Sequence, residues 1–243
     1  MNHGNDIWVN GARFSADESL VLTWNLDNTA RLWRVEDGAE ILRMNHDSNV
    51  WGAEFSVDES RILTWSPDRT ARLWRAEDGA EVARMSHDSP VGGAKFSADG
   101  SLIRTWDNKT VRLWRTEDGA QVTTMNHDYA IQEATFSADE SRILTWSYYG
   151  TSARLWRAED GNEMLRMDWV NGAKFSRDGS LIRTWDDKTV RLWRTRDGAE
   201  ILRINHNTSD INGVISGEFS ADNSLVLLWN RIGYSSKDYM VRL

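Results

Sequence analysis

The stretch Ile62–Ser89, ILTWSPDRTARLWRAEDGAEVARMSHDS, contains three short apolar runs separated by clusters of turn residues. Apolar and polar residues alternate with period two in these runs, a pattern that predicts β-strands. Asp78-Gly79 lies between two of the runs and is a strong hairpin signal, because both residue types accept positive φ. The stretch also holds a histidine and several carboxylates, so it raises the question of an acid/base or metal site.

The stretch is one copy of an internal repeat. The triplet RLW ends at Trp33, Trp74, Trp114, Trp156 and Trp193, and a phenylalanine-serine pair precedes each triplet. A sixth, divergent copy closes the sequence, so the chain contains six copies of about 40 residues. We treat residues 1–243 as a single domain with copies at approximately 1–44, 45–85, 86–125, 126–167, 168–204 and 205–243.

Each copy predicts four short antiparallel strands. A repeated four-stranded sheet of this length is typical of a β-propeller, in which packing between neighbouring sheets buries their apolar faces. The predicted fold is therefore an all-β propeller with six blades. The sequence stops inside the third strand of the sixth copy, so we expect the last blade to be incomplete, with an exposed edge at Tyr239–Leu243.

Composition excludes several classes of protein. The net charge is −8 with a pI near 5.2, which argues against nucleic acid as a partner. Cysteine is absent, which excludes disulfides and thiolate metal sites. The N-terminus lacks the apolar region of a secretory signal, and no apolar run is long enough to span a membrane. We expect a cytoplasmic protein that does not bind membranes.

The pattern FSxDxSxILTWSxDxTARLWR resembles the WD-repeat β-propeller family over essentially the whole chain. The chain departs from the family in having Trp-Arg where Trp-Asp is frequent, and Thr-Trp where Ser-Gly is frequent. Asp99–Thr116 and Asp178–Thr195 are identical at all but one position, so the chain is similar to recently amplified bacterial arrays. A resemblance of this kind implies a fold but little about function.

The resemblance also implies a hydrogen-bonded set of four side chains in each blade. The second copy supplies His46, Thr64, Asp68 and Trp74, and the first copy supplies His3, Thr23, Asp27 and Trp33. All five histidines of the chain occupy the same place in the repeat, which favours a structural role over a catalytic one. The fourth copy lacks the aspartate and the fifth lacks the histidine. We predict no catalytic, cofactor-binding or metal-binding residue.

Residues that vary between near-identical copies are candidates for partner binding. In the WD-repeat family the start of the first strand and the second turn lie on one rim, which often binds partners. Aromatic residues at these places make the candidate rim: Trp8, Trp51, Tyr129, Tyr148, Tyr149 and Trp169. Exposed aromatic side chains are enriched at binding hot spots. The alternative is that Trp8 and Trp169 only cover blade edges.

Three function classes remain open from the sequence. The leading hypothesis is a non-enzymatic interaction scaffold or sensor module that binds a protein or peptide through one rim. A second is a self-assembling structural piece or a fragment of a larger array, with self-association through the incomplete last blade. The third is an enzyme with a site at the central channel, which would require convergent polar groups from several blades.

Overall fold

A computed structural model describes residues 9–147, 152–205, 215–220, 225–232 and 235–242, and contains only β-strands and loops there. None of the described residues forms a helix that could cross a membrane. The strands are β1 (Val9–Phe14), β2 (Leu20–Asn25), β3 (Thr29–Arg34), β4 (Glu40–Asn45), β5 (Gly52–Phe55), β6 (Arg61–Trp65), β7 (Thr70–Arg75), β8 (Glu81–Ser86), β9 (Gly93–Phe96), β10 (Leu102–Trp106), β11 (Thr110–Arg115), β12 (Gln121–Asn126), β13 (Glu133–Phe136), β14 (Arg142–Ser147), β15 (Ser152–Arg157), β16 (Glu163–Asp168), β17 (Gly172–Phe175), β18 (Leu181–Trp185), β19 (Thr189–Arg194), β20 (Glu200–Asn205), β21 (Ile215–Phe219), β22 (Leu225–Ile232) and β23 (Ser235–Arg242).

The strands form five four-stranded antiparallel sheets and one three-stranded sheet, each in the order of the sequence. We number the sheets one to six, from β1–β4 to β21–β23. This all-β architecture is consistent with a β-propeller. The chain divides into two compact units, Met1–Asn126 with sheets one to three and His127–Leu243 with sheets four to six.

The turn between the third and fourth strands differs from the expected Asp-Gly geometry. In this turn of sheet two Gly79 has a positive φ, of 73°, whereas Asp78 does not. The Asp78 carboxylate instead accepts a hydrogen bond of 3.0 Å from the backbone N–H of Ala80. The backbone N–H of Arg75 donates a hydrogen bond of 2.8 Å to the Ala80 carbonyl. The loop closed by this bond is longer than a two-residue hairpin. A register shift between Leu73 and Trp74 follows from this extra length.

Neighbouring sheets of the first unit pack through their apolar faces. Leu22, Leu32 and Met44 of sheet one form a continuous cluster with Val50 and Ile62 of sheet two, and all of them are buried. The same arrangement recurs between sheets two and three, and in the second unit between sheets four and five. Contacts of this type bury the apolar face that a single sheet would leave in water.

The high tryptophan content has two structural causes. The third-strand tryptophans, such as Trp33 and Trp74, are buried between sheets. The second-strand tryptophans lie over a glycine of the first strand. A Cβ atom added at Gly52 would lie 1.9 Å from the ring of Trp65, so only glycine fits beneath the indole. The same close approach occurs at Gly11, Gly93 and Gly172.

We therefore expect Gly52→Ala to lower the free energy of unfolding by about 1–3 kcal/mol, because the added methyl group must displace the Trp65 ring. Gly92→Ala is the matched control, since its Cβ would lie at an ordinary 3.5 Å from Trp106. Urea unfolding followed by tryptophan fluorescence measures both variants. Equal effects of the two substitutions would contradict the proposed packing.

Candidate functional site

The polar residues of the opening stretch form a buried chain of hydrogen bonds in sheet two. Trp74 Nε1 donates to Thr64 Oγ1 at 2.8 Å, and Thr64 Oγ1 lies 2.7 Å from His46 Nε2. His46 Nδ1 lies 2.8 Å from Asp68 Oδ2. These contacts assign the Nδ1–H tautomer, in which His46 accepts from Thr64 and donates to Asp68. Every member of this group has a partner, as buried polar groups require.

Asp68 is held in its ionised form by these contacts. Burial raises its pKa, but hydrogen bonds from His46, Thr70 and the N–H of Asp47 outweigh burial and hold the pKa of Asp68 well below its usual range. A carboxylate with such a low pKa cannot act as a general acid near neutral pH. The geometry therefore supports a structural role for the group.

The first and third copies contain variations on this arrangement. In sheet one, Trp33 Nε1 donates to Thr23 Oγ1 at 2.8 Å, and Asp27 accepts from the Thr29 hydroxyl at 2.6 Å. The first-copy histidine, His3, lies outside the described residues. In sheet three, His87 Nε2 lies 2.7 Å from Thr105, while His87 Nδ1 is 3.2 Å from Asp107 without hydrogen-bond geometry.

The fourth copy leaves its histidine incompletely paired. His127 Nε2 lies 2.5 Å from Thr145 Oγ1, but His127 Nδ1 has no hydrogen-bond partner within the described part of the chain. Burial, and then the positive charge of Arg154, lowers the pKa of His127 to about 4. His127 is therefore neutral at physiological pH and lacks the charge change expected of an acid/base catalyst there.

The arginine of the RLW triplet joins this network in sheets one and two, where Arg31 pairs with Asp27 and Arg72 with Asp68. The sequence did not predict this role. The Arg72 side chain is nearly buried, and its Nη2 lies 3.0 Å from Asp68 and 3.1 Å from Asp47. Its Nη1 donates to the Asn45 carbonyl at 2.9 Å. Strand alternation could have predicted the position of Arg72. Arg72 lies two residues before Trp74 in the same strand, so both side chains project from the same face of the sheet.

The candidate rim residues occupy different places in the repeat. The N–H of Trp51 donates to the Trp65 carbonyl, and in sheet five the N–H of Asn171 makes the equivalent bond to Trp185. Trp169 therefore lies two residues before the position of Trp51. Placing both at the start of the first strand was wrong, because the loop after Met167 is three residues shorter than the loop after Met44.

Three of the candidate rim residues are described, and all three are exposed. The exposed fractions are 47% for Trp51, 52% for Tyr129 and 73% for Trp169. Trp169 also has a φ of 60°, which is unfavourable for a bulky side chain. Trp8, Tyr148 and Tyr149 lie outside the described residues. The exposure of Trp169 argues against a role limited to covering a blade edge.

An ionic bridge connects the loops that carry Tyr129 and Trp169. Arg166 Nε lies 2.9 Å from Asp168, and Arg166 Nη1 lies 3.6 Å from Asp128. Each aspartate directly precedes one of the aromatic residues in the sequence. The Tyr129–Trp169 surface, as we call it, consists of Tyr129, Trp169 and the three bridging residues Asp128, Arg166 and Asp168. Trp51 belongs to the first unit and is also exposed.

Within the described residues, no group of three or more histidine, aspartate and glutamate side chains is placed to hold a metal ion. The family model of the WD domain, G-beta repeat, matches residues 39–75, which span β4 to β7. The matched segment includes His46, Thr64, Asp68 and Trp74. A search of the curated proteins found no match to the chain.

We expect His46→Ala to lower the free energy of unfolding by about 1–3 kcal/mol, because it removes one buried hydrogen bond from Thr64 and one from Asp68. His127→Ala should cost less, since His127 makes one hydrogen bond in place of two. Chemical unfolding of both variants tests this order. A His46→Ala protein as stable as the parent would contradict the structural role.

His127 should make stability depend on pH. Its pKa falls from 6.5 to about 4 on folding, so the unfolded chain binds the proton more strongly. The free energy of unfolding should thus be unaffected above pH 6.5 and fall as the pH drops toward 4, by on the order of 3 kcal/mol in total. Urea midpoints across this range should fall less steeply for His127→Gln. If the urea midpoints of the parent and of His127→Gln fell equally with pH, the lowered pKa of His127 would not be the cause of the pH dependence.

Proposed function

We propose that this protein is a non-enzymatic interaction scaffold or sensor module of the WD-repeat type. The match of the WD-repeat family model to residues 39–75 and the recurrence of the four-stranded sheet along the chain support this proposal. Repeats of this family generally mediate protein–protein interactions. The partner in this proposal is a protein or peptide, not nucleic acid or membrane, and the compartment is the cytoplasm. The six sequence copies would supply six propeller blades.

Trp169 is the observation that carries the proposal. An exposed indole at positive φ costs about 1–3 kcal/mol of backbone strain and contributes little to the core. The strained loop is held on one side by the Arg166–Asp168 ion pair and on the other by Asn171, whose amide donates to Asp187 at 2.7 Å. Such strain is concentrated at functional positions, and exposed tryptophan is the residue most enriched at hot spots.

The Tyr129–Trp169 surface suits a peptide with apolar anchors. Two exposed aromatic side chains accompany a bridge in which two aspartates share Arg166. The aromatic rings supply apolar contact area, and the ionic groups supply orientation. Trp51 is a further candidate contact, in the first unit.

An enzymatic function receives less support from the geometry. The buried histidines contact threonines of their own sheets, and Asp68 is fixed in its ionised form. A catalytic site would require convergent groups with pKa values near the working pH. Self-assembly remains the competing structural function, and the mass of the native protein in solution distinguishes it from a monomeric scaffold.

Trp169→Gly should separate binding from stability. Glycine accepts the positive φ, so the free energy of unfolding should stay constant or rise by up to about 1–2 kcal/mol. Loss of the indole should weaken partner capture by about thirtyfold, the equivalent of about 2 kcal/mol. Quantitative affinity purification from cell extract, followed by titration of the captured partner, measures this effect.

Val57→Ala is the matched control, because Val57 is 71% exposed but lies outside the Tyr129–Trp169 surface. Tyr129→Ala should reproduce the loss seen with Trp169→Gly. Equal capture by the parent, Trp169→Gly and Tyr129→Ala proteins would refute the proposed surface.

A further inference from the structure

The turn between the first two strands has the same geometry in sheets one, two and three. In each of these turns, the backbone N–H of the fourth residue donates a hydrogen bond of 3.0 Å to the carbonyl of the first residue, a serine. The fourth residues are Glu18, Glu59 and Gly100, with φ values of 59°, 57° and 72°. Because the backbones match, the space beside each turn can be compared between the sheets.

Glu59 fills the space between sheets one and two. Its carboxylate accepts a hydrogen bond of 2.6 Å from the backbone N–H of Ala16, the second residue of the turn in sheet one. A positive φ is unfavourable for glutamate, and the hydrogen bond to Ala16 offsets part of that cost. The turn of one sheet thus supplies a carboxylate to a backbone N–H of the sheet before it.

The equivalent space between sheets two and three is open. Gly100 stands there in place of Glu59, and a Cβ atom added to it would meet nothing within 4 Å beyond its chain neighbours. Val57 stands in place of Ala16, and its N–H has no hydrogen-bond partner in the described part of the chain. A cavity of about 530 Å³ occupies this space, and both Val57 and Gly100 line it.

A glycine at this position does not by itself create such a cavity. Gly179 has the same place in sheet five, but a Cβ atom added there would lie 3.1 Å from the backbone nitrogen of Ala138 in sheet four. Sheets four and five therefore close over the position. Sheets two and three, which both belong to the first unit, leave it open.

Two further hydrogen-bond donors line the cavity. The Thr116 hydroxyl oxygen is buried without a partner among the described residues, whereas the hydroxyl of the equivalent Thr195 donates to a backbone carbonyl at 3.0 Å. The partly buried Arg61 guanidinium makes one hydrogen bond within the described ranges, to the Ser60 carbonyl at 3.2 Å. The cavity thus offers a backbone N–H, a hydroxyl and a guanidinium, and all three can donate to a carboxylate.

The acidic residues of the lining determine what charge the ligand must carry. Asp58 and Asp99 each accept a hydrogen bond of 2.7 Å from the serine that opens their own turn. Glu117 is exposed, and its carboxylate has no partner in the part of the chain that the structure describes. Together with Arg61 and Arg115, the lining has two positive and three negative groups, or one net negative charge. A ligand that brings a carboxylate therefore needs a positive group as well, for which Glu117 is available.

We propose that the cavity between sheets two and three binds a glutamate side chain of a partner protein, in a segment that also carries a basic residue. The carboxylate takes the place that Glu59 has between sheets one and two, and accepts hydrogen bonds from the Val57 N–H and from Arg61. The basic residue pairs with Glu117. Val57 takes part through its backbone alone, so the Val57→Ala control described above keeps this donor.

The test uses the full chain and a fluorescein-labelled, C-terminally amidated peptide, Asp-Glu-Ser-Arg-Ile, which reproduces residues 58–62 around Glu59. A second peptide with glutamine in place of glutamate isolates the effect of the one carboxylate. Fluorescence anisotropy at low ionic strength, where surface charges are least screened, measures both. The glutamate peptide should bind about tenfold more tightly, because charge-assisted hydrogen bonds are stronger than neutral ones.

Gly100→Glu should occupy the cavity from within and weaken binding of the glutamate peptide by about tenfold or more. Gly100→Ala is the matched comparison, because it also places a side chain at positive φ but cannot reach the Val57 N–H. It should weaken binding less than about twofold. In urea unfolding, the midpoint of Gly100→Glu should exceed that of Gly100→Ala, since only glutamate gains the hydrogen bond.

Arg61→Leu introduces the residue that sheet one has at this position, Leu20, and should weaken binding about tenfold through loss of the guanidinium. No binding by the parent, equal binding of the two peptides, or equal binding by Gly100→Glu and Gly100→Ala would overturn the proposal. Tighter binding of inorganic phosphate than of the glutamate peptide would overturn the choice of a glutamate side chain. Trp169→Gly lies in the second unit and should bind the peptide like the parent, and loss of binding there would place the site elsewhere.

Discussion

The hydrogen bond from a third-strand tryptophan to a second-strand threonine is the interaction on which the individual sheets depend. It recurs in sheets one to five with lengths of 2.8, 2.8, 2.7, 2.8 and 2.9 Å. A buried indole N–H without a partner would cost about 1–3 kcal/mol, so the threonine is required wherever the tryptophan packs between sheets. The histidine and the aspartate of the network vary between copies, whereas this bond does not.

The buried charges follow from the same network. Arg72 lies on the same strand as Trp74 and forms an ion pair with Asp68. Asp68 also accepts a hydrogen bond from His46. Breaking one member of such a group leaves the others as uncompensated buried charges, which is strongly destabilising. The fourth copy shows the result of losing a partner, because His127 remains neutral with an unpaired nitrogen among the described residues.

The loops at the ends of the sheets differ in length and charge between copies. The strands are held by packing and by the tryptophan–threonine bond, so the connecting loops can change in length and charge without loss of the core. One end of sheet five carries the strained, exposed Trp169, and the other end carries Arg177 and Arg196. A repeat with nearly constant strands can thereby present different chemistry at each end.

The amino-acid sequence by itself determined the strands and the residues available to the network. Period-two alternation sets which side chains share a face, and the resemblance to the WD-repeat family singles out His46, Thr64, Asp68 and Trp74 as a hydrogen-bonded set. The structure places these four within hydrogen-bonding distance of one another. Both properties depend on alternation along a strand or on pairing within one sheet, so they follow the repeated sequence pattern.

Tertiary structure decided the exposed positions and the ion pairs. Trp51 and Trp169 look equivalent in the sequence, but contacts between neighbouring segments, such as the Asn10 amide donating to the Val50 carbonyl at 3.0 Å, anchor the loops before the first strands. The partners of Arg72 likewise come from a preceding loop and from the adjacent turn. These contacts join residues that are up to about 40 positions apart, and neither alternation nor turn propensity carries information at that distance.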